Sequence, residues 1–310
     1  MRSRLMVSLV TVSLGFGLGV LGVTPSAGAA TGPCGTTTVA HTSYKHVLWI
    51  FMENHSYGDV IGSSSAPYTN KLAGQCGLAT NYHNITHPSL PNYMAATSGL
   101  PSSGVQKFTS DCSPSASCST SSSSIFSQTS SWRAYEEDMP SACDHSNSGE
   151  YAVRHNPPVY YTSLRGCAKN DVPYTRLSTD LSKNTLPAFA FVTPNLIDDT
   201  HDGTVAQGDA WLSKNIPPIL NSTAYKTGTL IVVLTYDEGE HGSTSDCATN
   251  TTEVGCHVVT IVMSKSTPKG KRSSKLFNHY SLLRTTEEIL KLPLLRQAKT
   301  ANSMRTAFSL

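Results

Sequence analysis

The amino-acid sequence predicts an α/β protein, a three-layer α/β/α sandwich with a mainly parallel sheet. Two observations indicate this fold. Several continuous apolar runs of strand length end at polar residues, which is typical of parallel strands buried on both faces. Segments with helical spacing alternate with these runs, as expected for a sheet covered by helices on both sides. The apolar runs are 47–52, 188–192, 230–234 and 258–263, and the helical segments are 92–97, 209–220 and 280–290.

The first 30 residues have the pattern of a secretory signal peptide. They combine a charged start, an apolar stretch over 5–23 and a small-x-small sequence at Ala27-Gly28-Ala29. We therefore expect a signal peptide at 1–30, a single domain over 31–310, and a secreted protein without a membrane anchor once the leader is cleaved. The apolar stretch is long enough that an uncleaved N-terminal anchor is the alternative.

The chain after the predicted signal peptide carries little net charge. The sequence has 23 basic and 21 acidic residues, and Arg2 and Arg4 both lie in the predicted signal peptide. No stripe of Lys and Arg and no basic run with interleaved aromatic residues is present. The sequence therefore argues against a nucleic-acid partner and against capture by an anionic membrane surface. An anionic substrate would have to be held by local groups.

Eight cysteines follow the predicted signal peptide. An even number in this context indicates disulfide bonds formed in an oxidising compartment, and the absence of a Cys-x-x-Cys motif disfavours a zinc site. Eight cysteines allow about 105 connectivities, so other pairings stay open. The favoured pairs are the short-loop pairs Cys112–Cys118, Cys143–Cys167 and Cys247–Cys256, with Cys34–Cys76 as the remaining pair.

Polar residues follow three of the predicted strands, and the carboxyl ends of parallel strands meet at one edge of a sheet. Crowded buried carboxylates repel one another, whereas a divalent cation accepts their oxygens as ligands. The oxygen-rich set predicts calcium, magnesium or manganese, with zinc as the alternative if His201 and His279 take part. The residues are Glu53 and Asn54 after the first strand, Asn195, Asp198, Asp199, His201 and Asp202 after the second, and Asp237 and Glu238 after the third. Helix caps or solvated turns are the alternative for Asp198 and Asp202.

Ser89 is the predicted nucleophile. It precedes a Leu-Pro-Asn helix start, where free backbone amides and the helix dipole favour an anion. A hydroxyl placed there beside a metal ion loses its proton readily and can attack phosphorus in line. A simple N-cap is the alternative. The sequence around Ser89 lacks Gly-x-Ser-x-Gly, which disfavours an esterase of the α/β-hydrolase type.

Four blocks of sequence together resemble a known family. They are 53–57 (ENHSY), 87–93 (HPSLPNY), 236–239 (YDEG) and 278–285 (NHYSLLRT). The blocks are similar to those of secreted bacterial phosphoesterases of the acid phosphatase and phospholipase C type, which belong to the alkaline phosphatase superfamily. The resemblance extends from the first predicted strand to the last predicted helix. It implies an alkaline-phosphatase-like fold and the hydrolysis of phosphoric esters.

The resemblance also implies roles for individual residues. Glu53 and Asn54 would hold the metal from the first strand, Ser89 would be both covalent nucleophile and metal ligand, and Asp237 and Glu238 would complete the site. In the wider superfamily a second metal uses an Asp-x-x-x-His pair and a late histidine.

This chain departs from that second metal site. Asn195 and Asp199 stand at the spacing of the Asp-x-x-x-His pair, and His279 stands at the late position. The departure favours a single metal, with Asp199, His201 and His279 binding phosphate or protonating the leaving group. Asp202 belongs to the same possible second-metal or phosphate-binding set.

Residues from about 106 to 170 are expected to form a disulfide-stapled insertion over the rim of the active site, because 110–131 is Ser-rich and poor in apolar residues. Residues around Trp132 and at 154–157 resemble the acid-phosphatase branch of the family. His155, beside Arg154, is expected to contact the substrate phosphate, with an ordinary hydrogen-bonded loop histidine as the alternative. His87, two residues before Ser89, belongs to the same second-metal or phosphate-binding set as Asp202, with an ordinary loop histidine as the alternative.

The sequence thus predicts a secreted, metal-dependent phosphoesterase. The favoured activity is that of an acid phosphatase that hydrolyses small phosphate monoesters through a phosphoserine. A phospholipase C or another phosphodiesterase, with a phospholipid substrate, is the first alternative. A secreted binding protein that keeps the fold without turnover is the second.

Overall fold

The computed structural model describes residues 32–36, 43–240, 246–250 and 252–310. The predicted signal peptide lies outside these ranges, and within them no helix has the length and apolar character needed to cross a membrane. The strands are β1 (His46–Met52), β2 (Gly77–Ala79), β3 (Tyr82–His83), β4 (Trp132–Glu136), β5 (Asp171–Pro173), β6 (Phe189–Thr193), β7 (Leu230–Tyr236), β8 (Thr260–Met263), β9 (Arg272–Ser273) and β10 (Phe277–Asn278).

Helices connect the strands and include all three predicted helical segments. The α-helices are α1 (Tyr57–Val60), α2 (Pro67–Gln75), α3 (Ser89–Ser98), α4 (Ser102–Val105), α5 (Ile125–Gln128), α6 (Cys167–Asn170), α7 (Arg176–Ser182), α8 (Val205–Leu220), α9 (Thr223–Lys226), α10 (His279–Leu290) and α11 (Arg305–Phe308). Short 3₁₀ helices occur between them, among them Val153–His155 and Pro157–Tyr160.

The main sheet has the strand order β5-β4-β6-β1-β7-β8-β2-β9. From β5 to β7, neighbouring strands run parallel. Strand β8 is antiparallel to β7 and to β2. All four predicted strands lie in this sheet, and its mainly parallel character is confirmed. The direction of β8 was not predictable from its apolar run, because such a run carries no information about direction.

Strand β1 lies near the centre of the sheet and is covered on both faces. The Phe51 ring packs against Tyr93 of α3 with centroids 5.3 Å apart, and Trp49 Nε1 donates a hydrogen bond to α10 at 3.0 Å. On the opposite face Met52 lies against Gly208 of α8, where an added Cβ would come 3.0 Å from Met52 Cε. Helices on both faces of the sheet confirm the three-layer sandwich.

The segment 106–170 is only partly an insertion over the sheet. Its residues Trp132–Glu136 form β4, which pairs with β5 and β6 inside the main sheet. This corrects the prediction that the whole segment lies outside the sheet. The strand was missed because Arg133 and Glu136 interrupt its apolar pattern. In the fold, Arg133 pairs with the buried carboxylate of Asp180, which compensates its charge.

All four expected disulfide bonds are present. Two of them staple the segment 106–170, and a third ties the N-terminal described residues to the end of α2. A bridge that closes a loop of this kind stabilises a fold by about 2–4 kcal/mol. The bridges are Cys34–Cys76, Cys112–Cys118, Cys143–Cys167 and Cys247–Cys256.

Candidate active site

The carboxyl ends of β1 and β7 bring two acidic residues together. Met52 and Tyr236 are register partners at the ends of these parallel strands, so Glu53 and Asp237 follow side by side. The Asp237 N–H donates to Met52 O at 2.9 Å, and the Asn54 N–H donates to Asp237 Oδ1 at 3.3 Å. Glu53 and Asp237 are both fully buried. Asp237 Oδ2 has no hydrogen-bond partner among the described residues.

Ser89 lies next to this pair. It is the first residue of α3, is 1% exposed, and donates from Oγ to Glu53 Oε2 at 2.9 Å. One turn further along α3, the Tyr93 hydroxyl donates to Glu53 Oε1. The helix therefore presents two hydroxyl groups to one carboxylate, and the residue predicted as nucleophile contacts the residue predicted as metal ligand.

His155 joins the same group from the other side. Its Nδ1 lies 3.1 Å from Asp199 Oδ2, so Nδ1 carries the proton and donates to Asp199. Its Nε2 faces Glu53 Oε1 at 3.4 Å and has no hydrogen-bond partner among the described residues. Ligand atoms of Glu53, His155 and Asp199 all lie within 4.8 Å of one another. Two electron-pair donors that face each other in a buried site are suited to a cation.

The pKa shifts of the clustered carboxylates also indicate that the site is suited to a cation. Burial raises the pKa of Glu53 well above its usual value, and the charges of Asp237 and Asp199 add to the rise. Burial and the charge of Glu238 likewise raise the pKa of Asp237. Burial also raises the pKa of Asp199. A divalent cation would remove this repulsion, so the residues present fit a metal ion.

Glu238 forms the next layer of the site. His87 Nδ1 lies 3.0 Å from Glu238 Oε2, and Asn92 Nδ2 donates to the same oxygen at 3.1 Å. Burial raises the pKa of Glu238, and the charge of Asp111 adds to the rise. The structure therefore brings His87 to the site as a partner of Glu238.

His279 is buried behind the carboxylate cluster. Its Nε2 donates to the backbone oxygen of Asp237 at 2.6 Å, and its Nδ1 accepts from the Tyr82 hydroxyl at 3.1 Å. Burial lowers the pKa of His279 to about 4. With both nitrogens occupied, His279 supports the Asp237 backbone, which differs from the expected role in binding phosphate or protonating a leaving group.

Asn195 also differs from its expected position. Its Oδ1 accepts from the N–H groups of Ile197 and Asp198, and its Nδ2 donates to Asp138 Oδ2 at 2.8 Å. Asn195 therefore caps the turn after β6 and does not join Asp199 as a ligand. The spacing of Asn195 and Asp199 resembles a metal-binding pair, but the turn directs Asn195 to its own backbone.

His201 and Asp202 lie at the edge of the site. The N–H of His201 donates to Asp199 Oδ1 at 2.7 Å. His201 Nδ1 lies 2.7 Å from Asp202 Oδ1, and Asp202 itself is exposed. His201 Nε2 faces the Arg154 guanidinium at 3.1 Å.

Two residues of the site were not predicted. Tyr93 was missed as a polar group, although its position four residues after Ser89 on a helix places both on one face. Asp111 lies in the Ser-rich segment, and its Oδ1 accepts from the N–H of Leu90, next to Ser89, at 3.0 Å. The isolated carboxyl in a run of serines was the available signal for Asp111.

Comparisons with known proteins bear on the family and the fold of the chain. Residues 63–293 match the profile described as the phosphoesterase family. The chain is 30% identical to the phosphatidylinositol-3-phosphatase of Mycobacterium tuberculosis, over 84% of this chain and 81% of that protein. It is 28% identical to an acid phosphatase of Aspergillus fumigatus, over 83% of this chain and 57% of the longer fungal protein.

A solved structure shares the fold. It is a protein of the alkaline phosphatase superfamily from Vibrio parahaemolyticus, which superimposes with a TM-score of 0.57 at 12% identity and covers 86% of this chain and 72% of that chain. The likeness supports the predicted alkaline-phosphatase-like architecture. The chain therefore belongs to the phosphoesterase family, a family of hydrolases that act on phosphoric ester bonds.

Proposed function

We propose that this protein is a secreted, metal-dependent phosphatase that hydrolyses phosphate monoesters through a phosphoserine at Ser89. The observation that carries the proposal is the contact of Ser89 Oγ with Glu53 Oε2, 2.9 Å apart, at the edge of a buried carboxylate cluster. A buried serine hydroxyl that donates to a carboxylate has a path for its proton. Its place at the start of α3 also puts the positive end of the helix dipole toward an incoming anion.

The metal would be held by residues that converge on the ends of β1 and β7. Asn54 is half-buried at the end of β1, and the unpartnered Asp237 Oδ2 and His155 Nε2 are the buried atoms that a cation would satisfy. When bound, a divalent ion supplies charge neutralisation and lowers the pKa of a coordinated hydroxyl. Oxygen ligands favour magnesium, calcium or manganese, and a nitrogen ligand from His155 would also suit zinc. The proposed ligands are Glu53, Asn54, Ser89, Asp237 and Glu238, with His155 and Asp199 beside them.

The reaction has two displacement steps. Ser89 Oγ attacks the phosphorus, its proton passes to Glu53 Oε2, and the bond from phosphorus to the leaving oxygen breaks. The leaving alkoxide takes a proton from water and departs as the alcohol. A water molecule then attacks the phosphoserine, the bond from phosphorus to Oγ breaks, and Oγ takes back the proton held on Glu53 Oε2. The attacking water gives a proton to the hydroxide left when the alkoxide was protonated, and inorganic phosphate leaves.

The names of the relatives support a monoester substrate. Phosphatidylinositol 3-phosphate carries a monoester phosphate on a lipid headgroup, and acid phosphatases act on phosphate monoesters. We therefore propose a small phosphate monoester or a phosphorylated lipid headgroup as substrate. The four disulfide bonds support secretion, because such bonds form and persist in oxidising compartments.

One experiment tests this function. The purified chain without residues 1–30 is assayed with p-nitrophenyl phosphate, bis(p-nitrophenyl) phosphate and phosphatidylcholine, with a chelator and with each metal added back. We expect monoester hydrolysis that the chelator abolishes and that Ser89→Ala removes. Ser213→Ala, an exposed serine of α8, is the control and should keep full activity. Turnover confined to the diester or the lipid would instead indicate a phosphodiesterase or phospholipase C.

A further inference from the structure

Arg154 places a positive charge beside the carboxylate cluster. It is half-buried in the 3₁₀ helix Val153–His155, directly before the histidine that contacts Glu53 and Asp199. Within the described ranges, the hydrogen bond to His201 Nε2 at 3.1 Å is the one side-chain bond of the Arg154 guanidinium. The remaining N–H groups of the fork are therefore available to a ligand.

A chain of contacts holds the guanidinium in place. His201 Nδ1 donates to Asp202 Oδ1 at 2.7 Å, so the Nε2 lone pair of His201 accepts from Arg154. The backbone N–H of His201 donates to Asp199 Oδ1 at 2.7 Å, which fixes the imidazole relative to the cluster. His201 is therefore a positioning residue for Arg154, which differs from the expected role of His201 as an acid for the leaving group.

The charge of Arg154 acts on two groups near the proposed nucleophile, Asp111 and His155. Burial raises the pKa of Asp111, and the hydrogen bond from the N–H of Leu90 and the charge of Arg154 oppose that rise. Burial lowers the pKa of His155 well below its usual value, and the charge of Arg154 lowers it further. The guanidinium of Arg154 stays charged at every working pH, so a permanent positive charge lies beside the cluster. Asp111 in turn contacts the N–H of Leu90, the residue after Ser89.

We propose that Arg154 binds the non-bridging oxygens of the substrate phosphoryl group and makes the site selective for monoesters over diesters. This inference rests on the proposed phosphatase function. A monoester carries a charge of about −1.5 to −2 at pH 7 and presents three non-bridging oxygens. A diester has a single negative charge and two such oxygens. The rigid guanidinium fork of Arg154 therefore binds a monoester phosphoryl group more strongly than a diester group, because the monoester has one more non-bridging oxygen and more negative charge.

The test compares both ester classes in one set of variants at pH 7, above the second pKa of a phosphate monoester of about 6. Arg154→Gln should lower kcat/KM for p-nitrophenyl phosphate about 100-fold, as expected for the loss of a phosphoryl-binding group. The diester value should change less than about 5-fold, because the diester gains little from the fork. Arg154→Lys should fall between wild type and Arg154→Gln, because it keeps the charge and loses the fork. Arg165→Gln, an exposed arginine of the same segment, should change neither value.

Positioning by His201 and Asp202 has its own readout. His201→Asn and Asp202→Asn should each lower the ratio of monoester to diester kcat/KM by about 3- to 10-fold while leaving Tm nearly unchanged. A role confined to folding would lower Tm and reduce both ester activities in parallel, leaving the ratio constant.

Binding of inorganic phosphate supplies a readout that does not depend on turnover. Calorimetry on Ser89→Ala protein should show phosphate binding about 100-fold weaker when Arg154→Gln is added. Equal losses for both esters, or unchanged phosphate binding, would overturn the role of Arg154 while the phosphatase function stands. A wild-type protein that hydrolyses no phosphate ester and binds no phosphate would overturn both.

Discussion

Glu53 connects the parts of the active site through its two carboxylate oxygens. Oε2 accepts from Ser89, and Oε1 accepts from Tyr93 and faces His155 Nε2 at 3.4 Å. Because the carboxylate is fully buried, its orientation is set by these neighbours and by no solvent contact. The geometry of Ser89, the proposed nucleophile, therefore depends on Tyr93, which does not touch the proposed reacting atoms.

The substitution Tyr93→Phe tests whether the geometry of Ser89 depends on the Tyr93 hydroxyl. The change removes one hydroxyl and leaves Glu53 free to rotate away from Ser89, so we expect kcat/KM for p-nitrophenyl phosphate to fall about 10- to 100-fold, the worth of a hydrogen bond to a charged group. Metal affinity, measured by titration of the chelated protein, should weaken as well. Both values are compared with wild type.

The matched control is Tyr161→Phe. The Tyr161 hydroxyl bonds to Thr97 Oγ1 of the same helix α3 at 2.6 Å, and Tyr161 is buried as Tyr93 is. Its loss should lower Tm with little effect on kcat/KM. Equal losses of activity in the two variants would show that Tyr93 acts only through the stability of α3.

The positions of the site residues were predictable from sequence where chain order sets them. Glu53 and Asp237 directly follow apolar strands, and parallel strands place such residues at one edge. The contacts of Tyr93 and Asp111, and the capping of the turn by Asn195, were not predictable. They depend on which side chains the packed fold brings together, and local spacing does not contain that information.

The loop before α3 is held by a side chain of the helix itself. Asn92 Oδ1 accepts from the N–H groups of Ile85 and Thr86 at 2.9 and 3.1 Å, and Asn92 Nδ2 donates to Glu238 Oε2 at 3.1 Å. The helix thereby fixes the loop that delivers Ser89 and also links that loop to β7. Local backbone conformation and active-site geometry are coupled at Asn92.

Asn92→Ala should therefore damage both stability and activity. Two buried backbone N–H groups lose their acceptor, which costs about 2–3 kcal/mol and lowers Tm by roughly 4–12 °C. The activity at a temperature well below Tm should fall about 10-fold or more, because the loop and Glu238 lose their link. Thermal unfolding and steady-state kinetics measure the two effects.

Asn215→Ala is the comparison for this prediction. Asn215 is a half-buried residue of α8 that accepts from the Tyr174 hydroxyl and donates to Trp211 O. Its replacement should lower Tm and leave kcat/KM unchanged. If Asn92→Ala keeps wild-type activity while Tm falls, the proposed link between the loop and the active site is wrong.

Strands of the sheet were predictable to different degrees. β1, β6, β7 and β8 are long apolar runs and were predicted within a few residues of their observed bounds. β4 was missed because its charged Arg133 is compensated by Asp180, a partner distant in sequence. β2, β5 and β9 have two or three residues each, too few for a periodic pattern to be visible.

Stability of the protein should depend on pH through Glu287 of α10. Glu287 is fully buried, its Oε1 accepts from the N–H of Leu295, and its Oε2 has no partner among the described residues. Burial raises the pKa of this carboxyl from 4.5 to about 8. Between these two pH values the folded state keeps a proton that the unfolded state has lost, so stability falls as pH rises.

Glu287→Gln mimics the protonated side chain and removes that loss. We expect the Tm of the variant to match that of wild type near pH 4.5 and to exceed it progressively up to pH 8. The corresponding gain in the free energy of unfolding is on the order of a few kcal/mol. Thermal unfolding across this range measures the difference. Glu288→Gln, which removes the partner of Arg284 on the same helix, should give no such gain. A constant Tm difference at all pH values would contradict the prediction.

The molecule combines a disulfide-stapled sandwich with a buried acidic cluster, and the proposed two-step reaction at Ser89 takes place at that cluster. Capturing the covalent intermediate tests this mechanism most directly. The enzyme is quenched with acid during turnover of p-nitrophenyl phosphate, digested, and its peptides are weighed by mass spectrometry. We predict a phosphoryl group on the peptide that contains Ser89, and its absence in Ser89→Ala, which should also be inactive. A phosphoryl group on another residue, or turnover that persists in Ser89→Ala, would contradict the phosphoserine mechanism.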